Sequence, residues 1–327
     1  LCGTAWFEEA VMLCAKVKRM SWHFKEGDRI QAGDELCTLV ATKRGLLIAE
    51  RTAINFLQLL SGVATRSRSV ADIVAKHNDK LAAGVDSNSG GTSADTSTAN
   101  TDAGQSGGQY TGAVKVLDTR KSIPNLRHAQ KYAVRVGGCH NHRFSLNDAL
   151  MVKENHGIAA GDLSGLVNKL VALRSPGSGK ANAAGNNSMS YNDLGQAPVI
   201  VEVENLEQLE SVLHNLKGLS KSCKSGEDAT DVKSLKIPGD ITVNGAKIID
   251  VIMLDNFSIP MIKDAVIMRE RFIQECLSLM PEFEISGAVT PTNLQDYLPL
   301  GVERISMGYL TKDYTALDFS LRFAETA

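Results

Sequence analysis

The chain has 327 residues, 43% hydrophobic and 22% charged, with 35 Lys and Arg against 37 Asp and Glu. That balance is ordinary for a soluble globular protein, and the length can bury a sizeable core as one large domain or two smaller ones. A sequence pI near 6.4 gives no reason to expect a nucleic-acid partner, and no apolar run approaches the roughly 20 residues of a membrane span.

Cys2, Cys14, Cys37, Cys139, Cys223 and Cys276 show neither a CxxC pair nor metal-site spacing. They read as free thiols of a reducing compartment, so a cytoplasmic location is expected. The chain opens on Leu1 and runs abruptly into Cys2-Gly3-Thr4-Ala5-Trp6-Phe7. The expectation is that N-terminal sequence, and any targeting segment with it, is missing.

Residues 1–50 read as a small α+β unit, with a first helix over Trp6 to Val17. Trp22 to Leu39 then alternates apolar and polar residues around Gly27-Asp28 and Gly33-Asp34. Such pairs suit tight corners, because Gly permits positive φ and Asp can cap nearby backbone. EGDRIQAGDEL also resembles the hammerhead turn of biotinyl and lipoyl carrier domains. No modifiable Lys is evident on a hairpin tip, so the stretch reads as scaffold. A helix is expected from Glu50-Arg51-Thr52 onward, since Ile54, Leu57, Leu60 and Val63 recur at helical spacing. Arg51 would lie in its first turn, where the helix dipole disfavours a cation. It therefore either pairs with Glu50 or is held for a ligand.

Residues 86–112, rich in Ser, Thr and Gly, cannot bury enough apolar surface to offset their ordering entropy. They read as a disordered insertion, as do 175–197 and 220–246. Between the insertions, residues 113–310 alternate apolar strands and amphipathic helices. The strands are Val114–Leu117, Ala149–Val152, Val199–Val203, Ile249–Leu254, Phe283–Ile285 and Ile305–Met307. The helices include Leu163–Leu173, Leu206–Leu216, Ile259–Gln274 and Thr292–Leu298. This βαβ alternation means a parallel sheet, and polar residues ending nearly every strand favour a barrel, whose site is built from every βα loop.

One stretch dominates the charge pattern. From Val114 to Lys153, eight Lys and Arg (Lys115, Arg120, Lys121, Arg127, Lys131, Arg135, Arg143 and Lys153) face only Asp118 and Asp148. Cations at strand ends, beside Gly137-Gly138 and a His-x-His-Arg cluster, point to a polyanionic ligand, against the blander reading of solvated surface charge. The cationic candidates are Arg51, Arg120, Lys121, His142, Arg143 and Lys153, because Arg forks clamp carboxylate or phosphate and Lys supplies a point charge. Glu202 and Asp255, each ending an apolar strand, are candidates for Mg²⁺, or for salt bridges with neighbouring cations. Ser286-Gly287-Ala288 and Ser306-Met307-Gly308 follow the last two strands and are candidate phosphate loops. Cys139 sits within the charged stretch as a candidate reactive thiol, with close packing beside the two glycines the favoured reading.

Taken in order, ERTAINFLQLLSGVAT, DTRKSIP, VGGCHNHR, KENH, VEVENLEQL, IMLDNFS, SGAVTPTNL and GVERISMGYLT resemble the quinolinate phosphoribosyltransferase family (nicotinate-nucleotide pyrophosphorylase, carboxylating). The resemblance covers the chain outside the insertions. It implies a hammerhead-like α/β domain over 1–85, shortened at its start, with the tail 311–327 packing back on it. An incomplete seven-stranded α/β barrel over 113–310 would follow. It implies decarboxylating phosphoribosyl transfer from phosphoribosyl pyrophosphate to quinolinate, giving nicotinate mononucleotide for NAD biosynthesis.

By the same resemblance, Arg120, Arg143 and Lys153 would hold the quinolinate carboxylates, with Thr119, Lys121 and His142 assisting. Lys153, Glu202 and Asp255 would be catalytic, the two acids binding ribose hydroxyls and Mg²⁺. Arg51 would reach into the partner of a homodimer, itself able to build a trimer of dimers, with no nucleic acid or membrane involved. Departures are Glu154 where Asp is usual, Ser122-Ile123-Pro124-Asn125 in place of Thr-Thr-Pro-Gly, Gly157 in place of Ile, and Ala288 in place of Gly. None removes a cation or a metal carboxylate. Three other readings stay open: a barrel phosphoribosyltransferase for nicotinate, a Schiff-base aldolase on Lys153, and a non-enzymatic homologue. One carboxylate would not need so many cations, and neighbouring charge argues against the apolar pocket such a lysine requires.

Overall fold

A computed structural model describes residues 1–86, 112–146, 148–153, 197–222, 242–243, 246–276 and 281–324. In chain order the elements are α1 (Thr4–Cys14), β1 (Val17–Trp22), β2 (Cys37–Ala41), α2 (Lys43–Asp86), β3 (Lys115–Leu117), α3 (Arg127–Val136), β4 (Leu150–Val152), β5 (Val199–Val203), α4 (Leu206–Ser222), β6 (Thr242–Val243), β7 (Ala246–Lys247), β8 (Val251–Asp255), α5 (Ile259–Cys276), β9 (Glu282–Ser286), α6 (Leu294–Tyr297), a 3₁₀ turn (Leu298–Leu300), β10 (Arg304–Ser306) and α7 (Tyr309–Lys312).

Six strands form one sheet in the order β3-β10-β9-β8-β5-β4, and its registered pairs β4–β5, β5–β8, β8–β9 and β9–β10 are parallel. His140 adds a single parallel bridge beside Leu117 at the β3 edge. Parallel neighbours joined through intervening helices make this an α/β sheet. Six of the expected seven strands are full strands among the described residues. His140 adds one bridging residue beyond them, too short a signal for hydrophobic periodicity to register. All five residues of β5 are buried, as in a strand covered on both faces.

The chain groups into two compact units, Leu1–Lys76 with Lys115–Phe144 and Ser306–Ala327, and His77–Val114 with Ser145–Ile305. These boundaries cut across the 1–85 and 113–310 division read from the sequence. In the first unit, Phe7, Val11, Leu46, Ala53, Ile54 and Leu57 form a core joined by Trp22, Phe319 and Leu321. Helix α1 starts at Thr4, two residues before the expected Trp6, because Glu26 accepts from the N–H of Gly3 and of Thr4 and from the Thr4 hydroxyl. A carboxylate there also answers the positive end of the helix. The helix ends at Cys14 and releases Val17 into β1. Both Gly-Asp corners form as read. Gly27 and Gly33 take positive φ, and Asp28 and Asp34 accept the amides of Lys25 and Gln31.

Helix α2 begins at Lys43, not Glu50, so Arg51 sits in its third turn and the dipole argument does not apply to it. By length and composition α2 matches a membrane span. Its apolar side, including Ala53, Leu60, Val63 and Val70, is nevertheless buried as in a core helix. Helix α3 packs against α2 through Gly137, where an added Cβ would lie 2.5 Å from the Ala64 carbonyl and 2.4 Å from Ser67 Cβ. Cys139 is buried there, its thiol donating to the Ser67 carbonyl at 3.2 Å, and burial pushes that thiol up to about 12. It is a packing residue, not a reactive one.

In the second unit, α4 buries Leu209, Val212, Leu213 and Leu216, and α5 buries Ile262, Ala265 and Phe272. Arg269 is buried over the Phe283 ring and paired with Glu303. The expected helix over Leu163–Leu173 and most of the three expected insertions lie outside the described residues. Where the third was expected, α4 continues to Ser222 and Thr242–Val243 pairs with Ala246–Lys247.

Gly137→Ala is expected to cost about 1–3 kcal/mol, because the backbone carbonyl it meets cannot swing away. A melting temperature equal to wild type would show that α2 and α3 are not locked at this point.

Candidate active site

In the first unit, the cationic candidates other than Arg51 lie on two loops. β3 delivers Asp118 and then Thr119-Arg120-Lys121, and the His140 bridge delivers Asn141-His142-Arg143. Asp118 is fully buried. It pairs with the Lys131 ammonium and accepts from Asn141 Nδ2 at 2.6 Å and from the His142 N–H at 2.9 Å. Burial raises this carboxyl while the three donors pull it back. Lys131 also donates to the His142 carbonyl at 2.8 Å, so a single buried pair fixes the root of one loop and the backbone of the other.

Arg120 and Lys121 are exposed, Thr119 and Arg143 half-buried, and His142 buried. The Lys121 N–H donates to Thr119 Oγ1, and the Arg143 N–H donates to His142 Nδ1. Gly308 completes this group. A Cβ there would stand 3.4 Å from Lys121 Cδ and 3.7 Å from Thr119 Oγ1, so the loop after β10 lies directly against the cation loop. Within that loop, Ser306 and Met307 are buried, and the Met307 N–H donates to the Leu117 carbonyl. Its amide is committed to the sheet, and Gly308 after it is half-buried, while Leu310 and Thr311 further on are fully buried.

Two members of the sequence-level charge excess have other work. Arg127 donates to the Phe144 carbonyl, Ser122 Oγ and the Arg120 carbonyl, and Lys131 is enclosed with Asp118. Arg51 is exposed on α2, on the same face as the exposed Leu47 and Ile48.

In the second unit, Lys153 follows β4 and donates to both Glu202 oxygens at 2.7 Å. Glu202 is buried within β5 and not at its end, whereas Lys153 is 45% exposed. The salt-bridge reading of Glu202 is thus realised. Glu202, Glu204 and Asp255 each offer a carboxylate oxygen, and these oxygens lie within 4.8 Å of one another. Three hard oxygen donors in that span fit a Mg²⁺ ion. Sequence reading passed over Glu204 as a mere strand-end charge, although positions i and i+2 of a strand share a face and Glu202-Val203-Glu204 carries that signal.

Asp255 ends β8 beside Ser286 at the end of β9, and the Asn256 N–H donates to the Ser286 carbonyl at 2.9 Å. Asn256 adopts φ 56°, Gly287 adopts φ 140°, and a Cβ on Gly287 would meet Asn256 Oδ1 at 3.0 Å. Gly is therefore required at 287. Ala288 is exposed, its carbonyl accepting from Asn293 Nδ2, and its methyl causes no crowding visible here. Glu154 lies outside the described residues.

Comparison with known proteins agrees with this architecture. Residues 1–61 match the N-terminal domain model of quinolinate phosphoribosyl transferase, and residues 97–176 and 179–322 match its C-terminal domain model. The nicotinate-nucleotide pyrophosphorylase [carboxylating] of Mycobacterium leprae is 30% identical over 303 residues, spanning 93% of this chain and 74% of that protein. The quinolinate phosphoribosyltransferase [decarboxylating] 1b of Nicotiana tabacum is 27% identical, spanning 96% and 68%. Among solved structures, the nicotinate-nucleotide pyrophosphorylase from Francisella tularensis aligns with a TM-score of 0.64 at 27% identity, covering 97% of this chain and 80% of that one. NadC from Streptococcus pyogenes aligns at 0.63 and 27%, covering 99% and 81%. With both domain models matched in order over most of its length, the chain belongs to the quinolinate phosphoribosyltransferase family.

Proposed function

We propose that this protein transfers a phosphoribosyl group from phosphoribosyl pyrophosphate to quinolinate with loss of CO₂, the reaction after which its relatives are named. The observation that carries the assignment is the group formed by Thr119, Lys121 and Gly308, backed by the clamped His142-Arg143 segment. It concentrates cations suited to a dianionic acid.

In this reading Arg120, Lys121, His142 and Arg143 are carboxylate-binding residues, and so is Lys153. The ribose hydroxyls take Glu202 and Asp255, and the loops at Ser286-Gly287-Ala288 and at Gly308 are each candidates for the 5-phosphate. The ring nitrogen attacks ribose C1 and forms the N–C bond as the C1–O bond to pyrophosphate breaks, through an oxocarbenium-like state. The quaternised ring then accepts the electron pair of the breaking C–C bond as the 2-carboxylate leaves as CO₂, and a proton fills that ring position. The protein positions both reactants and offers pre-aimed charge, and no covalent nucleophile is needed.

Glu202, Glu204 and Asp255 would hold Mg²⁺, which when bound supplies charge neutralisation for the departing pyrophosphate. Lys153 is the counter-charge of Glu202. A homodimer is part of this proposal. Arg44, Leu47, Ile48, Arg51 and Asn55 are exposed at helical spacing on α2, and Leu47 and Ile48 are 56% and 61% exposed. An apolar stripe around a cation suits a face covered by a second copy that receives Arg51.

Incubation with quinolinate, phosphoribosyl pyrophosphate and Mg²⁺ is expected to release CO₂ and pyrophosphate in equal amounts with nicotinate mononucleotide. Turnover of nicotinate with no turnover of quinolinate would overturn the substrate assignment. Arg143→Ala and Lys153→Ala are each expected to lower kcat/KM at least about 100-fold, some 2.7 kcal/mol of transition-state binding, with circular dichroism near wild type. Near-normal rates for either variant would remove that residue from the site. Leu47→Asp with Ile48→Asp is expected to halve the mass in sedimentation and to abolish activity. An active variant of unchanged mass would rule this face out as the interface.

A further inference from the structure

Helix α3 supplies none of the candidate ligand residues, yet its inward face is polar. Arg127, Gln130 and Lys131 stand at i, i+3 and i+4, the spacing that places side chains on one helical face. Gln130 and Lys131 are 0% exposed. An interior helix face of this kind is normally apolar, because each buried polar group must be satisfied to avoid a desolvation cost. Here the partners are the loops that carry the cations.

Gln130 Oε1 accepts from the Ile123 N–H at 2.8 Å, and its Nε2 donates to the Thr311 carbonyl at 2.8 Å. Thr311, itself fully buried in α7, returns a hydroxyl bond to the Lys121 carbonyl at 2.7 Å. The ring Gln130–Thr311–Lys121–Ile123 thereby ties the Arg120-Lys121 loop to the helix that begins at Gly308. One position further on, Lys131 joins Asp118 to the His142 carbonyl, and its ammonium lies 5.0 Å from the centre of the Phe144 ring. Arg127 bonds the Phe144 carbonyl and the Arg120 carbonyl. Every one of these bonds ends on backbone, or on a carboxylate that itself holds backbone. None ends on a side chain assigned to substrate.

We infer that Gln130 and Lys131 are positioning residues that set the spacing between the Arg120-Lys121 and His142-Arg143 loops, and so the separation of the two carboxylates the site accepts. The inference rests on the quinolinate reading above. Two loops rooted in one rigid helix keep a fixed distance, which a dicarboxylate with a fixed angle between its groups needs.

The test uses Gln130→Met and the charge-neutral pair Asp118→Asn with Lys131→Met, so that no charge is left buried alone. Each is assayed beside wild type for KM of quinolinate, KM of phosphoribosyl pyrophosphate, kcat and thermal melting. Misplaced loops are expected to raise the quinolinate KM about 10–100-fold, the range seen for supporting partners of a site, with the phosphoribosyl pyrophosphate KM within about twofold. A merely structural role would lower the active fraction, hence apparent kcat, and leave both KM values unchanged. That result overturns the inference, as does loss of folding in both variants. Wild type inert toward quinolinate would instead sink the functional reading, a separate outcome.

Discussion

The buried pair of Asp118 and Lys131 is the constraint on which the first unit's chemistry depends. Both side chains are sealed from solvent, and breaking such a pair from one side typically costs about 3–5 kcal/mol. A buried ion pair is a poor way to gain stability, since well-packed apolar side chains often do as well. What it gains here is geometry. Asp118 accepts from Lys131, Asn141 and the His142 amide, so the end of β3 and the His140 segment have one shared register. The residues that follow, Thr119 to Lys121 and Arg143, inherit that register without being buried themselves.

The second unit solves a different problem. β5 and β8 are apolar up to polar residues near their C-terminal ends, whereas β9 also buries Glu284, paired with Arg304. Lys153 follows β4, and Glu202 and Asp255 sit on the adjacent strands β5 and β8, with Ser286 on β9. Parallel pairing puts those ends side by side, so residues distant in sequence become neighbours without dedicated loops. Tight approach at Gly287, backed by the left-handed Asn256, then packs the β9 turn against the β8 turn. The fold supplies proximity, and a few positions free of side-chain bulk supply the final fit.

Much of this was legible in the sequence, for identifiable reasons. Strand positions were readable because a buried parallel strand is a short apolar run with a polar terminus. The Gly-Asp corners were readable because two local interactions, positive φ and an Asp cap, determine them. Start points of helices were misjudged where the capping group comes from afar. Glu26 caps α1 from more than twenty positions away in sequence, and no local pattern encodes that. Charge counting in the Val114–Lys153 stretch likewise included Arg127 and Lys131 in the excess that points to a polyanion, when α3 turns them inward to backbone and to Asp118. A tally of cations cannot separate those that meet a ligand from those that hold the scaffold. Helical spacing together with Gln130 was the available clue. Glu204 was hidden by the same habit of reading strand ends one residue at a time.

The pairing of Lys153 with Glu202 carries one more implication. The ammonium offsets one of the three carboxylates gathered here, so Glu204 and Asp255 leave this corner of the second unit net negative toward an approaching polyanion. Were Glu202 to turn toward a divalent ion, Lys153 would be released with its charge uncancelled and able to grip an anionic group. Uptake of the cation and of the anion would then each favour the other through a single exchanged contact, a reciprocity that thermodynamic linkage requires to be equal in both directions.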